Sequence, residues 1–421
     1  MSGATIPALA ERPGQLRTDA SRALLERGAR VDATLAYEGY VLPRDRLVDG
    51  EYPLFADHGR GAYVWDVDGN RFVDFILAYG TVILGHAHPA VSAAVTGEIE
   101  RGFGLTLRKT VQVELGELLT SVIPGAERVL LLKTGSDATS AAVRISRAYT
   151  GRDRVVRWGY NGWHDWAAIR PAGVPRAASD AVDTFVYNDL ESLERVFEAH
   201  GDEIACCVMM PFELEPPAPG FLEAVAGLVR SHGALFVLDE MRSGFRMALG
   251  GAQEAFGVQA DLATFSKAMA NGYPISAVTG PERIMQTVGS VHISSTFYVN
   301  GAEMAAAKAT ILELQGSDAL DRVARLGARL LDGLGELATA SGVEAAPLGV
   351  PQMPFLAFGY PGEETNALAR TAFFTETVRR GILFHPSHHW FVSAALTEGD
   401  VDAALEACEA GFAAVRTAVG T

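Results

Sequence analysis

Long apolar runs are missing from this chain. No stretch of about 18 consecutive apolar residues occurs, so no membrane-spanning helix is expected. The N-terminus lacks a basic segment followed by an apolar one, which removes the signal for secretion and makes the cytoplasm the expected compartment. Cysteine is scarce: Cys206, Cys207 and Cys408 do not have the spacing of a metal knuckle or a disulfide framework. The adjacent pair lies inside the apolar run from Ile204 to Phe212, so the three read as buried, reduced thiols. No dense Lys/Arg block is present. With 51 acidic against 35 basic residues the formal net charge is -16, which repels nucleic-acid backbones and points to a small-molecule substrate. Internal repeats and low-complexity linkers are also absent.

What remains is a chain of 421 residues, 48% hydrophobic and 20% charged, the composition of a soluble globular enzyme with more than one structural unit. Residues 1–36 are rich in Ala and Arg and read as a helix or arm packing on another subunit. Tyr63-Val-Trp-Asp66, the turn Asp68-Gly69-Asn70 and Phe72-Val-Asp-Phe75 predict a hairpin. From about 105 to 310, apolar runs at 129–132, 155–156, 205–209, 235–238, 262–265 and 277–278 alternate with helix-like stretches, the pattern of an α/β fold with a mainly parallel sheet. A long helix is expected at about 318–340, strands near 353–358 and 391–395, and a last helix after Thr397, whose T-x-x-D start reads as a capping box. The expected division is 1–80 for an N-terminal segment and part of a small domain, 81–320 for a large domain and 321–421 for the C-terminal small domain.

Three segments carry chemistry. Strand Val129–Leu132 runs into Lys133-Thr-Gly135-Ser136-Asp137 and a helix; free N–H groups and the dipole at a helix start suit a phosphate, although the same residues also make an ordinary helix cap. Ala234-Leu-Phe-Val-Leu238 ends in Asp239 and Glu240, and the carboxyl ends of parallel strands line the ligand crevice. A carboxylate there can stabilise a protonated pyridine, cap a turn or hold Mg2+. Lys267 follows the apolar strand ending at Phe265. It is either a solvated surface charge or a desolvated amine ready to attack an aldehyde. The order of phosphate-type turn, strand-end acid and strand-end lysine is more specific than its parts.

With Gly61-Ala-Tyr-Val-Trp-Asp66, Leu84-Gly-His-Ala-His-Pro89, Gly135-Ser-Asp-Ala138, Tyr160-Asn-Gly-Trp-His-Asp165, Asp239-Glu-Met241, Gly244-Phe-Arg246, Phe265-Ser-Lys267 and Ser295-Thr-Phe297, the chain resembles the class III aminotransferases of fold type I that depend on pyridoxal 5'-phosphate (PLP). The resemblance lies in their glutamate-1-semialdehyde aminomutase-like branch and covers residues of about 37 to 415. It implies a large domain around a mainly parallel sheet of the seven-stranded type, and a smaller α+β domain built from both chain ends. It implies Lys267 as the Schiff-base lysine, Asp239 as partner of the pyridine nitrogen, and Gly135, Ser136 and Asp137 at the phosphate end. Tyr160 and Met241 are expected on opposite ring faces, and Thr296 as a phosphate ligand given to a neighbouring subunit, hence a homodimer. Tyr79 and Arg44 fall near substrate-pocket positions of the family.

The chain departs from the family pattern at Asn161, where His is usual, and at Met210-Pro211, where Glu-Pro is usual, with Glu213 and Glu215 displaced. His86 and His88, flanked by Gly85 and Pro89, read as ordering a loop rather than holding a metal. For His385, His388 and His389, surface imidazoles, a substrate entrance and a metal site all stay open. The expected reaction is transfer of an amino group from a donor such as an amino acid to a ketone or aldehyde, with an amino-sugar or aminoglycoside intermediate as acceptor. An aminomutase or epimerase would use the same residues, and an inactive PLP-binding protein is the remaining reading.

Overall fold

The computed structural model describes residues 16–36, 48, 50–170 and 172–420. These fall into two compact units, Met1–His88 with Asp321–Thr421, and Pro89–Leu320. In the first unit β1 (Ala56–Arg60), β2 (Tyr63–Asp66) and β3 (Arg71–Asp74) form an antiparallel meander. The β2–β3 turn is held by Asp66, whose Oδ1 accepts from the amides of Asp68 and Asn70 at 3.0 and 2.7 Å. Gly69, at φ +80°, supplies the left-handed residue that the turn requires. Asp68 in turn accepts from the amides of Ala20 and Ser21 at 2.7 and 3.0 Å, fixing the start of helix Asp19–Gly28 on this hairpin.

The second unit is built on seven strands: β4 (Arg128–Leu132), β5 (Arg154–Trp158), β6 (Val182–Thr184), β7 (Ile204–Met209), β8 (Leu235–Asp239), β9 (Leu262–Phe265) and β10 (Ser276–Gly280). Their order is β4-β10-β9-β8-β7-β5-β6, and β10 alone runs against its neighbours. Every residue of β7 and β8 is buried, as near-continuous apolar strands covered on both faces should be. Helix Gly135–Thr150 packs on the sheet through Ala138, Ala141, Ala142 and Ile145, spaced by three and four residues. Tyr149, one turn beyond Ile145, is exposed and accepts a hydrogen bond from Arg283. Strand β6 carries no apolar run of its own, so no hydrophobic pattern marks it in the sequence. The three thiols are free and buried.

The chain then completes the first unit with helix Ala319–Ser341, the hairpin of β11 (Ala345–Val350) and β12 (Met353–Phe358), helix Glu363–Arg379, and β13 (Ile382–Leu383), which joins β3 in parallel. The final helix, Glu398–Val419, begins with the expected capping box between Thr397 and Asp400. It packs on its helical neighbour through Phe412 and Phe373, with ring centroids 5.0 Å apart. Residues 391–395, expected as a strand, are irregular. The amides of Phe391, Val392 and Ala394 donate to Phe75, Gln352 and Ile83, three separate segments, so no single ladder forms.

The histidine expectations also change. His385 and His389 are buried, and Trp390 stacks on Phe384 while its indole donates to the His385 carbonyl, so these are not surface imidazoles. Among the described residues no group of His, Cys, Asp and Glu is arranged to hold a metal ion. His86 does order a loop: its backbone exchanges two hydrogen bonds with Gly61, and its Nε2 lies 2.8 Å from Asp74.

Candidate functional site

Because β10 runs antiparallel to both β4 and β9, the carboxyl ends of β4, β5, β7, β8 and β9 share one edge of the sheet. Asp239 ends β8 opposite Thr264 of β9, and Lys267 follows β9 by two residues. Thr134–Asp137 follow β4, and Gly159–Asn161 follow β5. The second unit alone therefore brings together the phosphate-type turn, the acid, the lysine and the aromatic loop predicted from the sequence.

The chain has four lysines, and the structure separates them. Lys109 pairs with Glu98 at 2.7 Å, Lys133 with Glu303 at 3.1 Å and Lys308 with Glu114 at 2.6 Å. Lys267 has no carboxylate within ion-pair distance among the described residues. Its φ is +47°, a left-handed conformation that costs a residue with a side chain energy and that concentrates at functional sites. Burial lowers its ammonium from 10.5 to about 7; the nearby Arg242 charge adds to this and Asp239 opposes it. At neutral pH much of this amine is unprotonated and nucleophilic. The scarcity of lysine is itself a signal in the sequence, since it leaves only four candidates for a reactive amine.

The two strand-end carboxylates part company. Side chains alternate along a strand, so Asp239 and Glu240 cannot serve one place. Glu240 accepts from the amides of Ala252 and Gln253, both at 2.8 Å, and from the Ser243 hydroxyl, capping helix Ala252–Phe256. Burial raises its carboxyl from 4.5 to about 7. Asp239, also buried, accepts from Asn161 Nδ2 at 2.8 Å and from the Met241 amide at 3.1 Å. Burial pushes its carboxyl above the usual value, against the pull of these two bonds and of the Lys267 and Arg242 charges.

At the turn after β4 the helix cap is Thr134, not Ser136. Thr134 and Asp137 form a reciprocal capping box, so the Asp137 carboxylate is occupied by the Thr134 amide at 2.8 Å. This leaves the Gly135–Ser136 end of the helix outside the capping box, and backbone N–H groups at a helix start suit an anion. Gly135 lies against Met241, whose Sδ would sit 3.0 Å from a Cβ there, and Gly162, at φ +113°, faces Ser136 Oγ so closely that a Cβ would lie 2.6 Å from it. Tyr160, on the loop after β5, is 55% exposed. The displaced Glu213 meets Arg242 at 3.4 Å, and Arg242 also donates to Met210 Sδ at 2.9 Å, so the family's Glu position is filled by a thioether beneath a guanidinium.

Three expected residues stand apart from this set. Thr296 is exposed in the loop ahead of helix Gly301–Gln315. Tyr79 belongs to the first unit, on a turn in which Leu77, Ala78, Tyr79 and Gly80 all have positive φ, with its hydroxyl 3.4 Å from His385 Nε2. Arg44 lies outside the described residues.

Comparison with known proteins gives the same picture. Residues 48–397 match the family model of the class-III aminotransferases. The chain is 40% identical over 378 residues to a 3-aminobutyryl-CoA aminotransferase of Cloacimonas acidaminovorans, covering 88% of this chain and 91% of that protein. It is 34% identical over 388 residues to a glutamate-1-semialdehyde 2,1-aminomutase of Brevibacillus brevis, covering 85% and 90%. The FumI protein of Sphingopyxis sp. MTA144, in its PLP internal aldimine form, superimposes with a TM-score of 0.90 at 30% identity over 95% of this chain and 97% of its own. The shared sheet, the matching family model and relatives of nearly equal length make this chain a class III, fold type I aminotransferase family enzyme whose cofactor is PLP.

Proposed function

We propose that the chain transfers an amino group between an amine donor and a carbonyl acceptor, with Lys267 as the amine that holds the cofactor. The single observation behind this is that Lys267, alone among the lysines, has no carboxylate within ion-pair distance among the described residues, is left-handed in its backbone and is lowered to about 7. Residues of the site fit PLP. Among the described residues Asn161 Oδ1 is a buried acceptor without a partner, one bond from Asp239, as expected where a hydrogen-bonding ligand completes the set. Gly135 and Gly162 leave backbone where a side chain would clash.

PLP supplies an aldehyde that combines with amines and a protonated ring that draws electrons from the adjoining carbon. The protein's part is to hold and to move protons. Asp239 would hold a proton on the ring nitrogen, and burial strengthens that charge-assisted bond. Asn161 orients Asp239. Ser136 and the amides at the start of helix Gly135–Thr150 would take the phosphate, while Asp137, engaged with Thr134, sets the shape of that end. Tyr160 and Met241 would cover the two ring faces. Lys267, once displaced by a substrate amine, would carry the proton that must leave one carbon and arrive at another.

None of the relatives named above concerns an amino sugar. The activity of the 40% identical relative favours an amine on the carbon β to a carbonyl, and we propose a 3-amino acyl compound or its 3-oxo counterpart as substrate. A homodimer is also proposed. Thr296 and the adjoining Phe297 are exposed, as are Phe103, Leu105, Leu107 and Val113 of the same unit, more apolar surface than scattered positions require. The experiment is incubation with 15N-labelled amino donors and 3-oxo acceptors followed by mass spectrometry. Label appearing in the acceptor supports the proposal; nitrogen kept within one substrate, with no need of a donor, favours an aminomutase.

A further inference from the structure

The loop after β5 is fastened to helix Gly135–Thr150 by three side chains, of which the proposed chemistry uses only Ser136. Ser136, Thr139 and Ser140 are three and four residues apart and share one face of that helix. Thr139 Oγ1 donates to the Asn161 carbonyl at 2.7 Å, and the Trp163 amide donates to Ser136 Oγ at 3.3 Å. Farther along, Trp166 Nε1 donates to Ser140 Oγ at 2.8 Å, and Ser140 Oγ lies 2.6 Å from His164 Nδ1.

The chemistry of these groups fixes the donor in the first of these two bonds. An indole N–H only donates, so the Ser140 oxygen is the acceptor there and the serine hydrogen is free to go to His164. Ser140 thus joins Trp166 to His164, bridging the helix face to the rear of the loop.

The front of this loop is also tied to the end of β8, by Asn161 Nδ2 donating to Asp239 at 2.8 Å. Gly159 and Gly162 have φ of +87° and +113°, pivots that a residue with a side chain resists. Tyr160 and Trp163 are 55% and 70% exposed, so they gain little from burial, whereas Trp166 and Ala167 are buried beside the bridge. The loop is thus anchored in its rear half and aimed by hydroxyl contacts and the Asp239 bond in its front half.

We infer that Ser140 and His164 are positioning residues: their hydrogen bond latches the loop so that Tyr160 and Asn161 are set in place before PLP arrives. This rests on the reading of Tyr160 and Asn161 as cofactor residues. Neither Ser140 nor His164 touches the reacting atoms, and the effect is carried by the loop.

The test uses the full-length apoprotein and three variants, Ser140→Ala, His164→Leu and His164→Asn. The amide oxygen of Asn can take the place of Nδ1 as acceptor, whereas Leu cannot. Backbone hydrogen exchange of residues 160–166 is measured without cofactor, and PLP affinity by titration. Ser140→Ala and His164→Leu are expected to speed exchange in this segment and to weaken PLP about tenfold, the effect of losing one partly buried hydrogen bond. His164→Asn is expected to restore both, and the melting temperature of all three should stay near that of the wild type. PLP affinity unchanged in Ser140→Ala and His164→Leu overturns the inference, as does His164→Asn behaving like His164→Leu. Faster exchange with unchanged affinity overturns the latch while leaving the proposed function standing. A wild-type protein that takes up no PLP overturns both.

Discussion

Asn161 Nδ2 donates a 2.8 Å hydrogen bond to Asp239 Oδ2, tying the loop after β5 to the end of β8. Both groups are buried, so the bond opposes the burial that pushes the Asp239 carboxyl above its usual value. The residue that departs from the family's usual His thus has a donor to offer.

Removing that donor should be costly, and replacing it by another should not. Asn161→Leu is expected to weaken PLP binding about tenfold or more, by leaving Asp239 with one bond fewer. Asn161→His, whose ring N–H can donate to the same oxygen, should recover most of the loss. Equilibrium titration of the apoproteins with PLP distinguishes the two.

Arg242 and Lys267 are coupled through charge. Lys267 is held at about 7, by burial first and by the Arg242 charge second. Arg242→Gln is therefore expected to move the midpoint of the pH dependence of PLP uptake upward from about 7, because the free amine forms less readily once the neighbouring cation is gone. The same shift has a consequence for stability. Between about 7 and 10.5 the unfolded chain holds a proton that folded Lys267 does not, so the apoprotein should gain stability as pH rises through that window. Lys267→Met should flatten this slope, as read from urea unfolding at several pH values.

Glu240, beside Asp239 in sequence, should behave as a structural residue. Glu240→Ala strands the amides of Ala252 and Gln253 and is expected to cost about 1–3 kcal/mol of stability. PLP affinity should stay within a few-fold of the wild type, in contrast to Asp239→Ala. Since folded Glu240 keeps its proton up to about 7 rather than 4.5, its contribution to stability falls as pH rises through that range, and the variant should lose this dependence.

Gly162 tests the close approach of the loop to the helix start. Gly162→Ala places a Cβ 2.6 Å from Ser136 Oγ and forces a left-handed backbone on alanine, so the two segments must part. PLP affinity is expected to fall about tenfold or more, while Gly151→Ala, also at positive φ but with open space around it, should leave affinity unchanged.

Much of this was legible in the sequence because the signals are local. Apolar runs gave β4, β5, β7, β8, β9 and β10, and the T-x-x-D start gave the last helix. Lys267 and Asp239 could be singled out since a strand end in a parallel sheet is a defined place. Other features depend on partners distant in the chain. Residues 391–395 have the composition of a strand, yet their amides are taken up by three different segments. His385 and His389 look like surface imidazoles until the packing around Trp390 buries them. Glu240 and Asp239 are equivalent as letters and differ through what faces them. The bridge from Trp166 to His164 joins a helix face to an irregular loop, and no periodicity announces it.

The central claim is that Lys267 holds PLP. Reduction of the reconstituted protein with borohydride, followed by peptide mass mapping, fixes the cofactor to whichever lysine bears it. The account predicts a phosphopyridoxyl group on Lys267 and none on Lys109, Lys133 or Lys308, whose ammonium groups are already paired with glutamates. Label on one of those three instead, or unaltered labelling in Lys267→Ala, would contradict it.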